Sequence, residues 1–219
     1  EITTVVQNVN DRTDSLVLGS KYQVLWGKGY IVDRLCGCSF KISPGSFYQV
    51  NPIQAQKLYE KAIELADLTG KETVVDAYCG TGTIGMIAAK KAGKVFGVES
   101  NPDAVRDAVG NAKANDVKNI RFYREDAGRF LQSCAADNMP VDVVLMDPPR
   151  AGSSEEFLDA VAKIGPKRVV YVSCNPTTLE RDCTYLEKQG YRAKEVWPVD
   201  MFPWSGAVEA VCLLEKTKK

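Results

Sequence analysis

Thr73-Val74-Val75-Asp76-Ala77-Tyr78-Cys79-Gly80-Thr81-Gly82-Thr83 decides the fold. Thr73 to Asp76 reads as a short buried strand closed by an acid. Two glycines follow, and from Thr83 to Lys91 the chain turns rich in Ala and Ile, as a helix does. Strand, glycine turn and helix form the first half of a βαβ unit. Glycines at such a turn let the backbone approach a ligand closely. In open α/β sheets, ligands bind beyond the carboxyl ends of the strands.

The pattern continues outward in both directions. Towards the C-terminus, strands are expected at Lys94–Glu99, Ile120–Tyr123, Val141–Met146 and Arg168–Val172. Helices are expected from Asn101-Pro102, over Ser154–Lys163, and from Asn175-Pro176 to Gln189. An asparagine cap followed by proline at the first helical position is a helix start. Strands alternating with helices mean a parallel sheet. Two last strands, near Ala193–Val196 and Val208–Leu214, have no helix between them, so one strand should run antiparallel. Upstream, Asn51-Pro52 opens a helix to Leu68, with apolar positions at Ile53, Leu58, Ala62, Leu65 and Ala66. Residues 1–45 differ. Short apolar runs (Ser15–Leu18, Tyr22–Trp26, Tyr30–Val32) separated by glycines read as antiparallel strands or hairpins. The expected division is a β-rich segment over 1–45 and an α/β domain over 46–219.

Composition narrows the field. The chain has 219 residues, 45% hydrophobic, enough for one good-sized core with at most a small appendage. Its 28 basic and 28 acidic residues cancel, so bulk charge points to neither nucleic acid nor membrane. Any nucleic-acid affinity must arise from a local patch or from parts outside this chain. No signal peptide or long apolar span is evident. The start at Glu1, without methionine, suggests a piece of a longer protein. Histidine is absent, which removes Ser-His-Asp and Cys-His catalysis and histidine metal sites. Seven scattered cysteines fit no zinc spacing, so no metal is expected and the setting should be reducing and cytoplasmic. Cys79, Cys134, Cys183 and Cys212 read as packing residues, and so does the Cys36-Gly37-Cys38 pair.

Two further motifs end strands. Asp147-Pro148-Pro149-Arg150 makes a rigid, donor-poor turn behind a carboxylate that can hold a substrate edge. Ser173-Cys174-Asn175-Pro176 sets a thiol over a helix N-terminus, where partial positive charge favours thiolate. Glu99 closes the second strand, placed to accept hydrogen bonds from ribose hydroxyls. Asp126 closes the third, placed to face an adenine amino group. The plainer reading is a tight turn at Gly80 and Gly82, a solvated Glu99 and a buried core cysteine.

Taken with these residues, Asp76-x-x-Cys79-Gly80-x-Gly82 resembles the S-adenosyl-L-methionine loop of class I methyltransferases, not the GxGxxG of nicotinamide enzymes. The wider set runs Gly45-Ser-Phe47-Tyr48-Gln49-Val-Asn51, then the glycine loop, DPPR, SCNP and Phe202-Pro203…Val208-Glu209. In this order it resembles the RNA uracil-5-methyltransferase family, over residues 12 to 216. The fold this implies is a Rossmann-like α/β class I methyltransferase: a mostly parallel seven-stranded sheet with helices on both faces. The chain would be a catalytic domain, with residues 1–45 the end of the family's central β-rich segment.

The resemblance implies that Cys174 is a nucleophile attacking C6 of a uracil, which makes C5 nucleophilic towards the methyl group. Glu209 would be the base that removes the C5 proton, best done with a pKa raised by a dry pocket. Gln49, Asp76, Tyr78, Gly80, Gly82, Glu99, Asp126 and Asp147 would bind the cofactor. Gln49 and Asp147 would also contact the uracil edge. The target uridine must leave its stack, with Tyr48, Phe202 or Trp204 available to stack on it. RNA is the implied partner, ribosomal ahead of transfer RNA, with a monomeric protein and no membrane. The family usually reads Phe-Pro-His-Thr-x-His-Val-Glu near its end. This chain has Trp204-Ser205-Gly206-Ala207 between Pro203 and Val208 and so lacks both histidines. Two other readings stand beside this one. One is an amino- or small-molecule methyltransferase using direct transfer. The other is a cofactor-binding RNA module without catalysis.

Overall fold

Asparagine–proline pairs start three of the helices. Asn51, Asn101 and Asn175 each accept a backbone N–H from the first turn, and the proline behind each is pre-set for helix. The computed structural model describes residues 2–13 and 17–217. The chain opens with β1 (Thr4–Val9), β2 (Lys21–Gly27), β3 (Ile31–Leu35) and β4 (Cys38–Ile42). Then follow α1 (Pro52–Ala66), β5 (Thr73–Ala77), α2 (Thr83–Ala89), β6 (Lys94–Glu99), α3 (Pro102–Ala114) and β7 (Ile120–Arg124). The last part is α4 (Ala127–Ala136), β8 (Val143–Met146), α5 (Glu155–Ile164), β9 (Arg168–Ser173), α6 (Pro176–Lys188), β10 (Tyr191–Val199) and β11 (Glu209–Lys216).

Seven strands form one sheet in the order β10-β11-β9-β8-β5-β6-β7. Neighbours from β9 to β7 pair in parallel, and β11 runs antiparallel to both β9 and β10. This is the expected sheet with its expected antiparallel strand. One face is covered by α1 and α2, the other by α4, α5 and α6. The chain moves outward from β5 to β7 and then returns to β8 on the other side. That makes the carboxyl end of β5 a topological switch point, where ligands of open α/β sheets bind.

Residues 2–45 divide in two. β1 and β2 form a separate antiparallel ribbon, while β3 and β4 form a hairpin. Leu35, Cys38, Phe40 and Ile42 of the hairpin are buried in the same core as α1 and α2. Residues 14–16 of the Ser15–Leu18 run lie outside the described residues.

Several local features differ from the sequence reading. β1, β4 and α4 were not anticipated. The start of α4 is Asp126, which caps the helix by accepting the Arg129 N–H at 3.0 Å. Its buried face is Ala127, Phe130, Leu131 and Cys134, a helical spacing broken by polar neighbours. Ile53 was expected on the apolar face of α1, yet it is 70% exposed, and Tyr59 is buried there instead. Ile53 lies in the first turn, before the helix meets the core. No helix among the described residues is long and apolar enough to cross a membrane.

Candidate active site

The glycine loop is built on Asp76, at the end of β5 and wholly buried. Its Oδ2 accepts the Gly85 N–H of α2 at 2.7 Å, which fastens helix to strand. A Cβ at Gly85 would lie 2.6 Å from that oxygen, so only glycine fits there. The other oxygen, Oδ1, is buried without a hydrogen-bond partner. Burial pushes the Asp76 carboxyl up to about 7, against the Gly85 bond and with help from Glu99.

The loop itself is left-handed at three places: Tyr78 (φ 63°), Gly80 (φ 54°) and Gly82 (φ 82°). The two glycines differ. A Cβ at Gly82 would meet the Phe122 ring at 2.8 Å, whereas a Cβ at Gly80 would meet nothing within 4 Å. Gly80 faces open space, as a ligand cradle would. Glu99, at the end of β6, accepts the Gly80 N–H at 3.1 Å and the Asn101 N–H at 2.7 Å. Asp126 is exposed at the end of β7 and spends one oxygen on its helix cap.

Phe47, Tyr48, Tyr59, Tyr78, Gly80, Thr81 and Asp147 line a cavity with Cys79, Thr83 and Ile84. Its enclosed volume is about 40 Å³, and the Phe47 ring at its edge is exposed. A much larger cleft of about 620 Å³ lies between α3 and β7, but it holds none of these groups. Size favours that cleft, while chemistry favours the cavity. Only the cavity joins the strand ends to titratable groups, so it is the candidate site.

Gln49 is buried just before α1, and its side chain acts on the Tyr59 hydroxyl, holding its pKa down against the effect of burial. Burial raises the Tyr59 pKa, and Asp147 raises it further. Tyr59 is a site residue that the sequence reading missed. It was hidden as one more large residue in the periodicity of α1. Asp147 ends β8, next to the Tyr78 step of β5, with its N–H on Ala77 O at 3.4 Å. Burial, then Glu209 and Asp76, push its carboxyl up to about 8.

Cys174 is half-buried between β9 and α6. The turn around it is tightly bonded. Asn175 N–H donates to Ser173 Oγ at 3.1 Å, and Asn175 Nδ2 donates to Arg150 O at 3.2 Å. The SCNP and DPPR turns are therefore joined. Glu209 is buried at the start of β11, and burial raises its pKa. The sequence reading expected the helix N-terminus to favour thiolate at Cys174. In the structure other influences act on the thiol as well: it is pushed up, first by burial and then by Glu209 and Asp147. Arg150 opposes them without prevailing.

Of the aromatics offered for stacking, Tyr48 is half-buried and packs 6.2 Å from Phe40, so it is wall. Phe202 is partly exposed. Trp204 stands fully exposed in a turn at φ 69°, closed by Ser205 Oγ on Phe202 O at 2.7 Å. The loop is tied to the strap before α1, because Asn51 Nδ2 donates to Met201 O at 3.1 Å.

A seven-stranded sheet of this order, with a glycine loop, an acid closing β6 and a carboxylate turn ending β8, defines a Rossmann-like class I methyltransferase. Comparison with known proteins narrows the class. The family model for tRNA (uracil-5-)-methyltransferase matches residues 20–217, and the chain belongs to that family. It is 50% identical to a protein of Caldanaerobacter subterraneus named an uncharacterized RNA methyltransferase, over 98% of this chain and 48% of that protein. A protein of the same description from Halalkalibacterium halodurans is 48% identical, over 98% of this chain and 47% of its own length. The chain thus spans about half the length of these relatives. Among solved structures, the tRNA (uracil-54, C5)-methyltransferase of Pyrococcus abyssi, in complex with S-adenosyl-L-homocysteine, is 33% identical with a TM-score of 0.78. The match covers 98% of this chain and 51% of that one.

Proposed function

We propose that this chain is the catalytic part of an S-adenosyl-L-methionine-dependent enzyme that methylates C5 of a uridine in RNA through a covalent bond from Cys174 to C6. The observation that carries the reading is the meeting of Cys174, Glu209 and Asp147 at the ends of three adjoining strands, next to the glycine loop.

The residues of the loop fit the cofactor. Asp76 has one buried oxygen without a partner, which suits an ammonium group. Gly80 faces open space where a ligand would approach the backbone. In this reading Glu99 takes the ribose and Asp126 the adenine, and Tyr78 and Gln49 complete the set. A nucleoside-sized ligand needs several hundred Å³. The enclosed 40 Å³ beside Phe47 and Tyr48 would hold only part of it, with the rest along the open side of Gly80. When bound, the cofactor supplies an electrophilic methyl group.

The chain's own residues then do the following. The Cys174 thiol gives its proton to the ionised form of Asp147, a carboxyl pushed up to about 8 and so able to keep that proton. The sulfur bonds to C6, and the electron pair moves through C5 to the C4 oxygen. Asp147 and Gln49 hold the ring edge. After C5 has gained its methyl group, Glu209 removes the C5 proton, the C6–S bond breaks and the thiolate leaves. The raised pKa of Glu209 makes it the better base.

The resemblance favours ribosomal RNA as substrate, while the family's description and the Pyrococcus relative support transfer RNA. We carry residues 1–45 as the end of a further β-rich segment and the protein as a monomer.

The test is denaturing mass spectrometry after incubation with S-adenosyl-L-methionine and 5-fluorouridine-substituted ribosomal or transfer RNA. Fluorine at C5 blocks the last proton removal, so a methylated RNA adduct on Cys174 is expected. Methylation of ordinary RNA that survives Cys174→Ala would overturn the covalent mechanism.

A further inference from the structure

One face of α3 carries Asp107, Asn111 and Asn115, spaced four residues apart, and all three bind the backbone of β4 and the turn after it. Ser39 N–H donates to Asn115 Oδ1 at 2.8 Å, and Asn115 Nδ2 donates back to Ser39 O at 2.7 Å. Two residues on, Lys41 N–H donates to Asn111 Oδ1 at 2.7 Å, and Asn111 Nδ2 donates to Lys41 O at 3.2 Å. Two further on, Ser43 N–H and Ser46 Oγ both donate to Asp107 Oδ2, at 3.1 and 3.0 Å.

The match has a geometric cause. Four helical residues rise about 6 Å, and two strand residues rise about 6.6 Å. Side-chain amides on every fourth helical residue can therefore meet every second strand residue. The helix face acts as a substitute strand, pairing the edge of β4 that β3 leaves open.

Asn111 does something its neighbours do not. It is almost fully buried, and its Nδ2 also donates to Thr81 O, at 3.3 Å, between Gly80 and Gly82. One amide thus joins two walls of the cavity. On one side is the glycine loop. On the other is the strand leading through Ser43 and Ser46 into Phe47, Tyr48 and Gln49. Asn111 lines no part of the cavity itself.

We propose that Asn111 is a positioning residue for cofactor binding: it sets the glycine loop against the 43–49 strap and so fixes the width of the methyl-donor site. This rests on the cofactor reading above. Asn115 makes the same kind of rung but does not touch the loop, so it separates positioning from simple stability.

The experiment is calorimetric titration of S-adenosyl-L-homocysteine into the 219-residue chain and into Asn111→Ala, Asn111→Asp and Asn115→Ala, with thermal unfolding of each. Asn111→Asp keeps the acceptor for Lys41 N–H but turns an oxygen towards Thr81 O. The expected result is about tenfold weaker binding in both Asn111 variants, the loss of one buried hydrogen bond. Asn115→Ala should bind as wild type despite a lower melting temperature. Equal weakening in Asn115→Ala, or unchanged binding in the Asn111 variants, would overturn the proposal. So would failure of both Asn111 variants to fold, which would make the residue a folding determinant. Failure of the wild-type chain to bind would instead sink the cofactor reading, and this proposal with it.

Discussion

Glu209 stands opposite Cys174, one step beyond the Ala210–Ser173 pair of the antiparallel β11–β9 ladder, and its carboxylate holds the thiol pKa up. The proposed base and the proposed nucleophile, 35 residues apart in sequence, are thus brought to the same end of one strand pair.

This relationship gives a prediction with a definite sign. A negative neighbour disfavours thiolate, so Glu209→Gln should lower the Cys174 pKa. Alkylation by iodoacetamide at mildly alkaline pH should be several-fold faster in the variant, read at Cys174 by peptide mass. Methylation should fall at the same time, and the adduct with unmodified uridine should accumulate because its last proton is not removed. Slower alkylation in Glu209→Gln would show that the carboxylate does not act on the thiol.

Cofactor binding should be linked to protons. The Asp76 carboxyl sits at about 7 in the free protein. A cationic amino group beside Oδ1 favours the ionised form, so its pKa falls on binding and a proton is released. Affinity for S-adenosyl-L-homocysteine should therefore rise as pH climbs from about 6 towards 7. Titrations in buffers of different ionisation enthalpy would detect the released proton. Asp76→Asn should flatten the dependence.

The two loop glycines should fail differently. Gly82→Ala forces a Cβ to within 2.8 Å of the Phe122 ring at φ 82°, so it should lower the melting temperature clearly. Gly80→Ala carries only left-handed strain, about 1–2 kcal/mol, with no contact within 4 Å. It should leave a folded protein that has lost cofactor affinity, because its methyl group occupies the ligand's space. Thermal unfolding and titration together distinguish the two.

Asp182 should matter for stability. Buried, it accepts Tyr171 Oη at 2.7 Å, Ser153 N–H at 2.8 Å and Arg181 Nε at 2.8 Å. Arg181 also reaches Ala151 O and Ser153 O, so the group pins the segment after DPPR to α6. Asp182→Ala strands a buried hydroxyl and a backbone N–H and should cost about 3–5 kcal/mol by denaturant unfolding. A loss below about 1 kcal/mol would mean that water replaces the carboxylate.

Trp204, fully exposed beside the strand that carries Glu209, should serve RNA alone. Trp204→Ala should leave S-adenosyl-L-homocysteine affinity and melting temperature unchanged. Binding of single-stranded RNA should weaken by about 1–3 kcal/mol, the worth of one base–aromatic stack. Equal RNA binding by wild type and variant, in a fluorescence anisotropy titration, would remove Trp204 from the interface.

The main sheet was legible because its signals are local. Continuous Val and Ile runs, Asn-Pro caps and glycine turns each act within a few residues. They located Lys94–Glu99 to the residue and the starts of α1, α3 and α6. α4 escaped because its cap, Asp126, was read only as a ligand for adenine. β4 escaped because one of its edges is completed by helix side chains, which leave no strand-like partner in the sequence. Tyr59 escaped because nothing in a helical period distinguishes a core tyrosine from one beside a carboxylate.

Sequence alone determined which residues end strands, and so which chemistry gathers at one edge of the sheet. A parallel α/β sheet brings every strand's carboxyl end to the same side. That alone put Asp76, Glu99, Asp126, Asp147 and Cys174 on one rim. Only the tertiary structure decided which of them face one another. Strand order set Asp147 between the glycine loop and Cys174, and ladder register set Glu209 across from the thiol. The α3 ladder joined Asn111 to Thr81. Pairing and register come from packing between distant segments. The thiol's raised pKa follows from that packing, since burial and the Glu209 and Asp147 carboxylates act on it from neighbouring strands.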